Sequence, residues 1–335
     1  MKIAILDDYQ DRVRHLKVFS LLNQHEVKIF NNTSKGVGQL AIRLAQYDAL
    51  VLIRERTEIS AALLKKLPNL KLISQTGKVS GHIDVETATQ RGVVILEGAG
   101  DPTAPAELTW ALIMAASRRI VPYASNLKQG RWQNVSMTAE KNLLGRTLKG
   151  STLGVWGYGK IGKIVAGYGK AFGMYILIWG REKSRIQALK DGHQVAESKQ
   201  QFFASADIVS VHLRLNEATH GIVKEKDLEQ MKTDALFVNT SRAELVEKGA
   251  LASALNNGRP GQAAIDVFED EPVQANTTIL GMENILATPH LGYVEQNSYE
   301  LYFGAAFQNI LDYTNGETKS VLNHAALNQP RDTAR

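Results

Sequence analysis

The sequence predicts an α/β protein of two doubly wound parallel-sheet domains with a cleft between them. Three observations carry this. Short β-rich runs alternate with helix-period segments; a proline-rich stretch interrupts the alternation once before it resumes; and a glycine turn follows the first strand of the second run. At 335 residues the chain exceeds what one core usually organises.

In the first run, strands are expected at residues 3–7, 27–30, 49–53, 70–74 and 93–96, each short and rich in Val, Ile and Leu. Helices over 39–46, 61–67 and 85–90 lie between them, each followed by Asp, Pro or Gly. Strands buried on both faces read as continuous apolar runs, so the sheet is expected to be parallel and covered on both sides.

Asp101-Pro-Thr-Ala-Pro105 breaks this pattern, and a helix over 106–120 then leads to a loop around 130–145. From Thr152 the alternation returns, with strands at 152–156, 174–179, 207–212, 235–239, 262–267 and 285–288. Helices are expected over 224–231 and 248–257. After Pro289 a helix over 298–313 needs an apolar partner and is expected to return to the first domain, before a polar tail runs to Arg335. The domains are therefore expected to be 1–102 with 293–335, and 103–292.

The run Ser151-Thr-Leu-Gly-Val-Trp-Gly157-Tyr158-Gly159-Lys160-Ile161-Gly162 organises the second domain. Gly157 permits the tight turn, Gly159 lets backbone approach a pyrophosphate, and Gly162 lets the helix starting near Lys160 pack on the strand. The helix's N–H groups and positive dipole end then face phosphates, so Gly157 to Gly162 are expected to hold a dinucleotide. An acid about 20 positions further on would take the ribose of NAD. Gly180 stands there, followed by Arg181; the space and the guanidinium suit a 2′-phosphate. NAD or NADP is expected, with NADP favoured. In the opposing view Arg181 is a surface charge at a helix start and Glu182 takes the ribose.

Composition narrows the alternatives. With no cysteine, disulfides, thiolate metal sites and Cys nucleophiles are excluded, and a reducing cytoplasm is expected. The N-terminal apolar run is too short for a signal peptide, and no segment approaches the roughly 18 apolar residues of a membrane span. Net charge is +5, but the charges alternate in sign without a block of five or six. Neither nucleic acid nor membrane is therefore expected as a partner; a solvated basic surface, or local attraction of small anions, accounts for the charge.

Three strand ends offer chemistry. The strand from Ala235 ends at Arg242, whose planar fork suits the adjacent carboxylate and carbonyl oxygens of a 2-keto acid. Asp266 to Glu271 follows the next strand and Thr288-Pro-His290 the last. Hydride transfer to a carbonyl needs an orienting cation and a proton donor, and a histidine bonded to a carboxylate has its tautomer fixed. His290 with Glu271 supplies that pair. No metal is required.

These segments resemble the D-isomer-specific 2-hydroxyacid dehydrogenase family, which includes D-3-phosphoglycerate, D-lactate and glyoxylate/hydroxypyruvate enzymes. The matching residues are Gly157 to Gly162, Asn239-Thr240-Ser-Arg242, Asp266-Val-Phe-Glu-Asp-Glu271-Pro272 and Thr288-Pro-His290-Leu-Gly292. Looser likeness runs through Arg54, His82-Ile-Asp84 and Pro105-Ala-Glu107. The resemblance implies a flavodoxin-like substrate domain beside a Rossmann dinucleotide domain, in a homodimer joined through the latter. It also implies that Arg242 orients the substrate, that His290 is the acid/base partnered by Glu271, and that Thr240 and Asp266 lie near the cofactor. Backbone N–H groups of Gly77, Lys78 and Val79 would hold the substrate's carboxylate, with Arg54 a second anion contact.

The chain departs from the family at Lys78, at Arg214 and at Ala243. Lys78 could favour a phosphorylated or dicarboxylic acid, or point to solvent. A formate-type dehydrogenase is disfavoured by Pro289-His290. The alternative from another class is a catalytically silent, dinucleotide-sensing corepressor of the same fold.

Overall fold

Apolar β-branched runs bounded by turn residues set the strands of both sheets. The computed structural model describes residues 1–136, 138 and 142–330. The chain forms two compact units, Met1–Asp101 with the segment from Glu295 onward, and Pro102–Val294.

The first unit's sheet contains β1 (Lys2–Ile5), β2 (Glu26–Ile29), β3 (Ala49–Leu52), β4 (Leu72–Gln75) and β5 (Val94–Glu97), in the order β2-β1-β3-β4-β5 and all parallel. Its helices are α1 (Val37–Leu44), α2 (Ala61–Leu64), α3 (Val85–Gln90) and α11 (Gln296–Thr314). One face buries Leu44, Leu50, Leu63 and Ile73. On α11, Phe303 and Phe307 are buried, and the Ala306 carbonyl accepts the Ser74 hydroxyl at 2.8 Å. The late helix thus returns to the first sheet.

Some boundaries differ from expectation. The helix expected over 61–67 stops at Leu64, ahead of Pro68, whose ring disfavours helical backbone in the preceding residue. Two 3-10 segments, Val13–His15 and Lys17–Leu22, fill a stretch with no clear period; the Asp8 carboxylate anchors the first by accepting the N–H groups of Arg12 and Val13.

The second unit's sheet contains β6 (Thr152–Trp156), β7 (Tyr175–Trp179), β8 (Gln194–Val195), β9 (Ile208–Val211), β10 (Leu236–Asn239), β11 (Gln262–Ile265) and β12 (Ile285–Ala287). Their order is β12-β11-β10-β9-β6-β7-β8, all parallel, so the winding reverses between β6 and β9. Ligands of open α/β sheets bind at the carboxyl ends beside such a reversal. The helices are α4 (Thr103–Ser117), α5 (Ile120–Leu127), α6 (Lys160–Ala171), α7 (Glu182–Lys190), α8 (Lys199–Ser205), α9 (Glu225–Leu228) and α10 (Ala250–Asn256).

The single helix expected over 106–120 is two. It starts at Thr103 because a proline at position 105 falls in the first turn, where its missing N–H costs nothing. It ends at Ser117 because Arg119 is left-handed, with φ at 53°. Strand β8 and helices α7 and α8 were not expected, since α7 buries only Ala188 and carries no apolar stripe. The loop around 130–145 includes residues 137 and 139–141, and the tail ends in 331–335; these lie outside the described residues. No helix among the described residues is long and apolar enough to cross a membrane.

Candidate active site

Strand β6 delivers the glycine turn. Gly157 has φ at 101°, and a Cβ there would sit 2.3 Å from the carbonyl oxygen of His212, so only glycine fits between β6 and β9. A Cβ on Gly162 would meet the Gly157 carbonyl oxygen at 2.0 Å, so α6 crosses the strand as closely as backbone allows. A Cβ on Gly159 would meet nothing within 4 Å. Open space at Gly159 therefore adjoins the start of α6, which has no side-chain cap and whose first N–H groups have no intrahelical acceptor. This cradle fits a pyrophosphate.

Within the turn, Tyr158 contributes backbone only. Its ring is buried in the core beside α6, and its hydroxyl donates to Asp191 at 2.9 Å. Burial and the Asp191 carboxylate raise the phenol well above its ordinary value. At the end of β7, Gly180 lies against the turn, a Cβ there falling 3.8 Å from the Gly157 nitrogen. Arg181 is the exposed N-cap residue of α7, without a side-chain cap bond, and Arg185 stacks over Trp179, with its guanidinium carbon 5.4 Å from the ring centre.

Strands β10, β11 and β12 end in the three reactive groups. The Asn239 amide braces the turn after β10, its Nδ2 donating to the Arg242 carbonyl at 2.8 Å and its Oδ1 accepting the Ser241 N–H at 3.0 Å. Ser241 in turn donates its hydroxyl to Val211 O at 2.8 Å. Thr240 meets the Thr109 hydroxyl of α4 at 2.7 Å. Glu271 follows β11, and its Oε1 accepts the Phe268 N–H at 3.0 Å while its Oε2 lies 2.6 Å from His290 Nδ1. Burial works to raise the Glu271 carboxyl. The hydrogen bond and charge of His290, the Phe268 N–H and the Arg242 guanidinium outweigh it and hold the group below its ordinary value. Glu271 thus lies within the charge field of both His290 and Arg242.

His290 has φ at 53°, an uncommon conformation for a residue with a side chain. The Asp266 carboxylate holds the loop in that shape. Oδ1 accepts the Thr288 hydroxyl and the Leu291 N–H, both at 2.7 Å, and Oδ2 accepts the Gly292 N–H at 2.8 Å. Burial nevertheless raises the Asp266 carboxyl above its ordinary value, against these bonds and the His290 charge. The family resemblance implied Asp266 near a cofactor; its bracing of the histidine loop, and that of Asn239 on the arginine turn, show only in three dimensions.

Arg54, Gly77, Lys78 and Val79 belong to the first unit, where two of them come together. Gly77 has φ at 92°, and Arg54 Nη1 would lie 2.2 Å from a Cβ there, so the guanidinium rests on the glycine. The other two face elsewhere. Lys78 Nζ pairs with Glu97 Oε2 at 2.8 Å, and the Val79 N–H donates to Glu97 Oε1 at 2.8 Å. The expected donation by Val79 to a ligand is thereby taken up within the loop, because the end of β5 carries a carboxylate that no motif signalled.

The glycine cradle and the imidazole, carboxylate and guanidinium all follow strands of one parallel sheet, and comparison with known proteins supplies the family. Residues 110–292 match the model of the D-isomer specific 2-hydroxyacid dehydrogenase NAD binding domain. The chain belongs to the D-isomer specific 2-hydroxyacid dehydrogenases. A glyoxylate reductase of Aeropyrum pernix is 35% identical over 281 residues, covering 83% of each chain. A solved oxidoreductase of Ralstonia solanacearum is 59% identical with a TM-score of 0.95, over 100% of this chain and 99% of that one. A phosphoglycerate oxidoreductase of Vibrio cholerae O395 is 55% identical with a TM-score of 0.91, over 94% and 99%. This D-2-hydroxyacid dehydrogenase is thus an NAD-dependent oxidoreductase with two parallel-sheet α/β domains.

Proposed function

We propose that the enzyme interconverts a small 2-keto acid and its D-2-hydroxy acid, with His290 as acid/base and Arg242 as the group that orients the carboxylate. The observation that carries this is the His290–Glu271 pair at 2.6 Å within the field of Arg242. Glu271 occupies Nδ1, which leaves Nε2 as the ring atom that exchanges a proton with the substrate's oxygen. Arg242 offers a flat, bidentate donor for the carboxylate and neighbouring carbonyl, which polarises the carbonyl carbon. The nicotinamide, when bound, supplies or accepts the hydride. Gly157, Gly159, Lys160, Ile161 and Gly162 would hold its pyrophosphate, with Thr240 and Asp266 nearby. We propose separately that Arg54 and the backbone N–H groups of Gly77 and Lys78, within the first unit, bind a small carboxylate.

We further read Arg181 beside Gly180 as favouring NADP. The protein is proposed to be a homodimer joined through the dinucleotide domain: Ile120, Val121, Leu127, Trp132, Leu143 and Leu144 are all exposed within a short stretch. The reductase and dehydrogenase names of its relatives do not favour a silent corepressor. Purified protein mixed with NADPH or NADH and glyoxylate or hydroxypyruvate tests the proposal at the nicotinamide absorbance. Oxidation of the cofactor is expected; binding without oxidation would favour the sensor.

A further inference from the structure

Strand β10 is apolar until its last residue, Asn239, which is buried, and a buried amide has to satisfy both a donor and an acceptor. Both go to the turn that ends at Arg242. Oδ1 accepts the Ser241 N–H at 3.0 Å, and Nδ2 donates to the Arg242 carbonyl at 2.8 Å. The same carbonyl accepts the Leu245 N–H at 3.3 Å, which fastens the short 3-10 segment Ala243–Leu245 behind the arginine. The Ser241 hydroxyl donates to Val211 O at 2.8 Å and moors the turn to the end of β9. The guanidinium leans on this framework, with Arg242 Nη1 donating to the Ser241 carbonyl at 2.6 Å. Two hydrogen bonds thus lead from the Asn239 amide, through the backbone of Ser241, to the guanidinium.

We propose that Asn239 is a positioning residue for the reaction: its amide fixes where Arg242 presents its fork, and so sets how well the carboxylate and carbonyl of a 2-keto acid are gripped. This rests on the reading that Arg242 orients the substrate. Asn239, Ser241, Arg242, Glu271 and His290 all belong to the second unit. An amide suits the task because it donates and accepts at once. An aspartate of the same shape would keep the Ser241 contact but set a carboxylate against the Arg242 carbonyl, and alanine would make neither bond. Without the brace, a long arginine side chain on a loosened turn spreads over more rotamers, and the two-oxygen grip is lost for much of the time.

The test uses the full-length chain with NADH. It measures kcat and KM for glyoxylate, and the binding of oxamate, a 2-keto acid mimic, to the enzyme–NADH complex. Asn239→Ala should lower kcat/KM by about a hundredfold, through both kcat and KM, as a displacement of about 1 Å implies, and oxamate should weaken in step with KM. NADH affinity should stay within about twofold of native, the level expected of an uncoupled site. Asn239→Asp should fall between native and Asn239→Ala. The decisive comparison is made in Arg242→Ala, assayed at raised enzyme concentration. With the guanidinium gone its placement no longer matters, so adding Asn239→Ala should change kcat/KM by no more than about twofold. The full loss repeated in that background, or a fall in NADH affinity equal to that for oxamate, would make Asn239 a residue of the fold alone and overturn the inference. Native kcat/KM in both Asn239 variants would overturn it as well. Native activity in Arg242→Ala would instead overturn the reading beneath it, and the inference with it.

Discussion

His290 Nδ1 and Glu271 Oε2 are 2.6 Å apart, and a second Glu271 oxygen is pinned by the Phe268 N–H. The carboxylate is therefore anchored before it orients the ring, which fixes the tautomer that, on the proposed mechanism, leaves Nε2 for the substrate. His290→Ala should lower kcat by about a thousandfold, within the range for a lost general acid, with dinucleotide affinity nearly unchanged. Glu271→Gln keeps the shape but removes the charge and should cost an intermediate amount. Steady-state kinetics with a fluorescence titration of the reduced cofactor separates the two effects. Loss of cofactor affinity in His290→Ala would mark the histidine as structural.

The glycine cradle separates packing from ligand approach. Gly162→Ala places a methyl 2.0 Å from the Gly157 carbonyl oxygen, so α6 has to move off β6. Overpacking of this kind costs about 1–3 kcal/mol, and both the thermal midpoint and cofactor affinity should fall. Gly159→Ala meets nothing within 4 Å and has φ at −89°, so the fold should keep its midpoint. Its methyl would occupy the space in front of the helix, and cofactor affinity alone should fall. Equal loss of midpoint in both variants would refute the distinction.

His212 gives the second unit an acid-sensitive point. Its ring is half-buried, Nε2 pairs with Ser210 Oγ at 2.9 Å, and the buried Nδ1 has no partner among the described residues. Burial lowers it from 6.5 to about 4. Between those values the unfolded chain binds the proton and the folded one does not, so stability is complete above pH 6.5 and falls as pH drops toward 4. The shift corresponds to about 3 kcal/mol. Urea midpoints across this range should decline for the native enzyme and decline less for His212→Gln. Parallel curves would assign the acid sensitivity elsewhere.

Much of this was legible in the chain because periodicity reports burial. Most central strands of both sheets are largely apolar runs, and Gly157, Gly159 and Gly162 have the spacing of a strand-turn-helix phosphate cradle. Arg242, Glu271 and His290 were legible because each follows an apolar run, and parallel strands put such positions on one edge. What escaped was set by contacts between distant segments. Helix α7 carries no apolar stripe, and α8 is too short to show a period although it buries Phe202 and Phe203. Lys78 looked like a free charge because its partner, Glu97, is 19 residues away and closes another strand. The bracing role of Asp266 escaped because the loop it holds lies 22 to 26 residues on.

On the proposed reading, cofactor choice turns on the end of β7. Where a carboxylate would bind the two ribose hydroxyls of NAD and repel a 2′-phosphate, the chain has Gly180, whose backbone lies against the glycine turn. Arg181 follows, exposed at the start of α7, whose dipole adds to its positive charge; Glu182 is also exposed there and opposes it in part. The guanidinium is the larger local effect on a phosphate because it can donate two bonds in its plane, whereas Glu182 acts at a distance through water. Arg181→Ala should raise KM for NADPH by about tenfold, the scale of one charge-assisted contact of roughly 1.4 kcal/mol, and leave KM for NADH within about twofold. Parallel changes for the two dinucleotides would show that Arg181 is a helix-start charge and that selectivity for the phosphate resides in other groups.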